Sequence, residues 1–173
     1  MACPQSHEVL GVYFKPESGS DTEDRNGELT LGGVDSTKYT GALTYFPRST
    51  VPPYSTFWGI DVASITYGWT TLSGPVNAIV DTGTTLILIP TSANNKFLNV
   101  TGGTVDPSSG LTEFSTRPTG IVTFRFGWTD YPLTPSQYLV PKAQYGTFNL
   151  TSSKYYTWVR YNFAGFVSTC SRV

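Results

Sequence analysis

Two wholly apolar runs, Ala78-Ile79-Val80 and Leu86-Ile87-Leu88-Ile89, are separated by the polar stretch Asp81-Thr82-Gly83-Thr84-Thr85. Apolar runs this short, closed by Pro90, read as buried strands rather than as a helix. The chain must therefore build a sheet interior around this point, with a turn between the runs. Asp81 opens that turn. A carboxylate so close to a core is costly unless nearby donors satisfy it.

The remainder of the chain carries the same strand-like pattern. Val9–Phe14 reads as a buried strand, Glu28–Leu31 as an alternating strand ending on Gly32-Gly33, and 16–26 as a polar, acidic hairpin loop between them. Ala42–Phe46 is expected to form a short strand closed by Pro47, and Pro52-Pro53 marks a loop. Phe57–Val62 and Ser64–Tyr67 read as two strand pieces, followed by a polar connection. After Pro90, Thr91 or Ser92 is placed to cap a short helix running to Leu98. Gly102–Gly110 reads as loop, Ile121–Phe126 as a strand, and Tyr155–Val159 as strongly β-prone. With 17 Gly, 12 Pro and 14% aromatics but only 13% charged residues, the composition suits strands and turns. The chain of 173 residues fits one core, and the fold class expected is all-β with one short helix.

Several chemistries are disfavoured. A formal net charge of -1 gives no attraction to nucleic acid or an anionic membrane. No run reaches the ~18–20 apolar residues of a membrane helix. The start, Met1–His7, has no signal-peptide pattern. A triad nucleophile would need His7, the one imidazole. One His and the distant Cys3 and Cys170 do not make a zinc set, so no metal and no cofactor is expected. Cys3 and Cys170 are read as two thiols with no obligatory pairing. Asn99-Val100-Thr101 and Asn149-Leu150-Thr151 are candidate glycosylation sequons, at Asn99 and Asn149.

At the Asp81 turn, Gly83 allows close backbone approach and unusual dihedrals, while Thr82 and Thr84 offer hydroxyls to the carboxylate. Asp81 is thus a functional candidate. The plainer alternative is an aspartate that caps a β-turn.

The extended stretch Ala78–Ile87 resembles the Asp-Thr-Gly site of pepsin-like (A1) aspartic proteases. The resemblance continues through Gly27–Asp35 with Tyr39-Thr40-Gly41, Phe57-Trp58-Gly59-Ile60 with Ile65, Leu133–Tyr138 and Val12-Tyr13-Phe14. It runs in order from about Val9 to Val159 and is nearest to secreted fungal members. It implies the second lobe of that β-barrel fold, with 1–8 preceding it and 160–173 as an atypical tail. It further implies that Asp81 is the second of two catalytic aspartates, facing a broad open surface. Gly83 and Thr84 would bind substrate backbone, and Thr85, Ile79 and Tyr13 would line subsites. For Ile79 and Tyr13 the alternative is packing.

The sequence departs from the family in two respects. It holds one Asp-Thr-Gly, and Asp61, Asp106 and Asp130 lack that continuation. After Val159, Phe163-Ala164-Gly165 only weakly resembles the family's apolar-apolar-Gly strand, and the tail reads as a retained intron or shifted frame. The expected function is an endopeptidase lobe, inactive until paired, with a peptide or protein as substrate. The alternative is a non-catalytic binding protein derived from a protease. A homodimer that pairs two copies of Asp81 ranks last. Localisation by resemblance is secreted or vacuolar.

Overall fold

The structure is a computed structural model that describes residues 9–14, 27–162 and 167–168. The expected loop at 16–26, together with Cys3, His7 and Cys170, lies outside the described residues. The described chain forms two compact units, one up to Tyr45 and one from Phe46 onward.

In the first unit, β1 (Leu10–Tyr13) pairs antiparallel with β2 (Glu28–Leu31), from Leu10 opposite Leu31 to Tyr13 opposite Glu28. Asp35 caps the 3-10 turn Ser36–Lys38 by accepting the Thr37 N–H at 2.9 Å. That turn brings the Lys38 ammonium to 2.9 Å from Glu28 and 5.3 Å from the centre of the Tyr13 ring. The strand expected at 42–46 does not form. No described strand pairs with that segment, and Leu43 and Tyr45 are exposed, so β-prone residues there lack a ladder.

The second unit holds three sheets. The chain runs through β3 (Gly59–Val62), β4 (Ser64–Tyr67), β5 (Thr70–Ser73), β6 (Val76–Ile79) and β7 (Ile87–Pro90). The helix α1 (Thr91–Thr101) follows, then β8 (Thr104–Val105), β9 (Thr112–Phe114), β10 (Val122–Phe126) and β11 (Thr129–Leu133). After α2 (Pro135–Tyr138) come β12 (Tyr155–Thr157), β13 (Val159–Asn162) and β14 (Val167–Ser168). The sheet orders are β11-β10-β4-β5, β12-β9-β8 and β13-β7-β14-β6-β3.

Two of these elements correct the sequence reading. The supposed polar connection after Tyr67 contains β5, in which Leu72 alone is buried, so one core contact in four residues left little apolar signal. The supposed loop 102–110 contains the short β8, whose residues are both exposed.

The helix differs from expectation at both ends. It starts at Thr91 with Pro90 as N-cap and no side-chain cap bond, and it runs on to Thr101. Proline provides a fixed φ for chain entry but no capping oxygen. The helix stops at Gly102, whose φ of 67° is the left-handed value a C-terminal cap requires. Ala93, Asn94 and Phe97 turn inward, and Phe97 meets Tyr67 and Phe114 edge-on with centroids 5.5 and 6.1 Å away. This aromatic group joins the helix to the main core, which also contains Ile65, Leu72, Ile89 and Val122.

The five-stranded sheet positions the Asp81 turn. β13 runs parallel to β7, with Val159 opposite Ile87. β14 lies between β7 and β6, parallel to β6 and antiparallel to β7. Residues 159–162 and 167–168 are thus strands of the same sheet that carries the turn. β3 closes the other edge, with Gly59 opposite Ile79.

Candidate active site

The turn at residues 81–85 leaves the sheet at the end of β6 and re-enters it at β7. The two strands are held apart by β14, so the turn spans a strand's width rather than closing a tight hairpin. Asp81 is half-buried there. Its Oδ2 accepts the Thr84 hydroxyl at 2.6 Å, and its Oδ1 accepts the Gly83 N–H at 2.9 Å. The Thr84 hydroxyl, followed by the Gly83 N–H, holds the Asp81 carboxyl below its ordinary value of 3.8, and the partial burial that opposes this is a smaller effect. The group is therefore an ionised acceptor whose oxygens are fixed by its own turn.

Two details differ from the sequence expectation. Of the two neighbouring threonines, Thr84 bonds the carboxylate, while Thr82 is exposed and lines the open side. Gly83 does not adopt a left-handed backbone. A Cβ there would stand 3.4 Å from Asp81 Oδ1, an ordinary van der Waals contact, so neither φ nor space in this turn demands glycine.

Asp81 lines a depression of about 610 Å³ with Arg48, Phe57, Trp58, Ile79 and Val80 among its walls. Phe57 and Trp58 are 51% and 72% exposed, and Val80 is 40% exposed, so the aspartate faces an open, mainly apolar surface. Val80 is anchored by its N–H to the Trp58 carbonyl at 2.9 Å. The structure thus brings Ile79, Asp81, Gly83 and Thr84 together. Thr85 is exposed in the same turn. Tyr13 lies in the first unit, where it lines a smaller depression of about 250 Å³ with Asp35 and Lys38. Sequence reasoning missed Arg48 as a wall residue and placed Phe57-Trp58 in a strand. The alternation of a half-buried edge strand does not distinguish a packed aromatic from an exposed one. Among the described residues no group of three or more acidic, His or Cys side chains could hold a metal. None of their helices is long and apolar enough to cross a membrane. The sequon residues Asn99, on α1, and Asn149, in a loop with φ 52°, are both exposed.

Residues 6–159 match the eukaryotic aspartyl protease family. The chain is similar to polyporopepsin of Irpex lacteus, 42% identical over 109 residues, which cover 62% of this chain and 31% of that protein. It is 32% identical to pepsin A of Sus scrofa over 139 residues, 78% of this chain and 34% of that one. Among solved structures, the aspartic proteinase from Irpex lacteus superposes with a TM-score of 0.81 at 33% identity, covering 90% of this chain and 47% of the other. The chain thus spans about a third of these curated relatives and under half of the solved structure. Matching along most of its length in sequence and in fold, the chain belongs to the eukaryotic aspartyl protease family.

Proposed function

We propose that this chain acts as one lobe of an acid endopeptidase, supplying one aspartate of a pair that activates a water for peptide hydrolysis. The observation that carries this reading is Asp81. It is an ionised carboxylate fixed by Thr84 and Gly83 and turned toward an apolar-walled depression. Two carboxylates about 3 Å apart cannot both ionise, so a second aspartate opposite Asp81 would share one proton with it. One member then takes a proton from the water as it attacks the peptide carbonyl, and the other delivers a proton to the leaving nitrogen. The chain has one Asp-Thr-Gly, so the second group must come from another lobe. Gly83 and Thr84 would meet the substrate backbone, with Ile79, Thr85 and Tyr13 lining side-chain subsites. The same reading places the protein in a secretory or vacuolar route, with Asn99 and Asn149 as glycan acceptors.

The test is cleavage of denatured protein at acid pH. The chain alone should be inactive, because the proton has no second carboxylate to share and half of the positioning surface is missing. Addition of a first lobe from a related protease should produce pepstatin-sensitive cleavage, and Asp81→Asn should abolish it. Pepstatin-sensitive cleavage by the purified chain alone would overturn the single-lobe reading, and sedimentation would then show whether a homodimer had formed.

A further inference from the structure

We propose that Arg48 is a specificity-determining residue that selects peptides bearing a carboxylate. This rests on reading the depression as a peptide site. Arg48 and Asp81 both line it, together with the aromatic residues Phe57 and Trp58. Among the described residues no carboxylate lies within 4.0 Å of the Arg48 guanidinium. Lys38, Arg125 and Lys154, by contrast, have acidic partners at 2.9, 2.6 and 3.4 Å. Arg48 and Asp81 do not pair either, and the two bonds that hold the aspartate come from Thr84 and Gly83. The depression therefore offers two separate charged groups, an anion held by its own turn and a cation with no carboxylate partner among the described residues.

The backbone beneath Arg48 is fixed. Ser49 is 2% exposed, its N–H donates to the Gly59 carbonyl at 2.9 Å, and its Oγ accepts from Asn77 Nδ2 at 3.1 Å. These bonds tie the residue after Arg48 to β3 and β6, the strands that lead to Asp81. The guanidinium thus springs from a rigid base at a set place relative to the turn. A planar guanidinium takes a carboxylate through two parallel hydrogen bonds, a fork that an amide cannot match. The ligand that satisfies all three features is a peptide with apolar side chains against Phe57 and Trp58 and a carboxylate near Arg48.

The test is binding to the full chain, followed by NMR at the Trp58 indole N–H and the Arg48 Nε–H. The probes are an N-acetylated, C-amidated hexapeptide with two apolar residues followed by glutamate, its glutamine isostere, and the glutamine peptide with a free C-terminal carboxylate. Measurements are made at pH 6, well above the ~4.3 of a free glutamate. Because Arg48 is exposed, the expected preference for glutamate over glutamine is modest, roughly two- to five-fold in Kd. Arg48→Met should erase the difference by weakening only the glutamate peptide, and Arg48→Lys should retain part of it. Equal tightness of the free-terminus and glutamate peptides supports the proposal with a chain end as the source of the carboxylate. Equal binding of all three peptides overturns the role of Arg48 and leaves the lobe reading intact, since that reading stands or falls on paired cleavage. Absence of any shift at Trp58 and Arg48 overturns the inference as well.

Discussion

Two donors within its own turn hold the Asp81 carboxyl below its ordinary value, and its protonation should respond when one is removed. Thr84→Val keeps the shape and removes the hydroxyl that contributes most to the lowered pKa. The Asp81 pKa should then rise toward 3.8, as read by carboxyl carbon NMR titration. A depressed folded-state pKa stabilises the fold above the unfolded value, and that contribution is lost as pH falls through the folded value. The wild-type advantage over Thr84→Val in urea midpoint should therefore be full near neutral pH and fade in acid. An unchanged pKa would show that the turn finds another donor. This part of the site was legible in the sequence because its determinants are local. Apolar runs on either side fix the turn, and Thr84 and Gly83 lie within three residues of the aspartate. Arg48 was not legible, because its place in the depression that Asp81 lines depends on the pairing of β3 with β6 across many intervening residues.

At the scale of the element, α1 is held by its inward face and by its end. Phe97 is fully buried and edge-on to two rings, so Phe97→Ala should cost about 3–5 kcal/mol in chemical denaturation. Gly102 has nothing within 4 Å of where a Cβ would sit, so the only penalty of Gly102→Ala is its φ of 67°. That substitution should cost ~1–2 kcal/mol, and a D-alanine placed there by chemical synthesis should cost much less. Strand positions with clear apolar content, such as β7 and β10, followed from composition alone. The helix start did not, because Thr91 and Ser92 resemble capping residues while Pro90 takes that place. Ala42–Phe46 shows the opposite error, a β-prone segment with no strand beside it.

For the whole molecule, the five-stranded sheet draws its order from distant parts of the chain. β14 and all of β13 except Val159 come from the tail that the sequence reading set apart, yet the two strands flank β7 on both sides. Both strands lie roughly seventy or more residues beyond β7 with no tight turn joining them to it, so neither the parallel pairing of β13 nor the antiparallel one of β14 could be read from local pattern. Deletion of residues 159–173 should strip β7 of both partners and expose Ile87 and Ile89, which are now buried. The shortened chain is expected to lose cooperative unfolding by circular dichroism. Retention of a sharp transition would mean that the other two sheets suffice.

The place of β14 between β6 and β7 also bears on how a ribosome delivers this protein. β3 and β6 can pair as soon as they emerge, but the strand that joins β6 to β7 is made last among the described elements. At roughly 5–20 residues per second, the nascent chain waits several seconds with both inner edges open. During that interval β6 is bonded to β3 alone and β7 has neither of its strand partners, and an unpaired edge invites pairing with another chain. The strand order thus makes the core around the catalytic candidate the last part of the sheet to close.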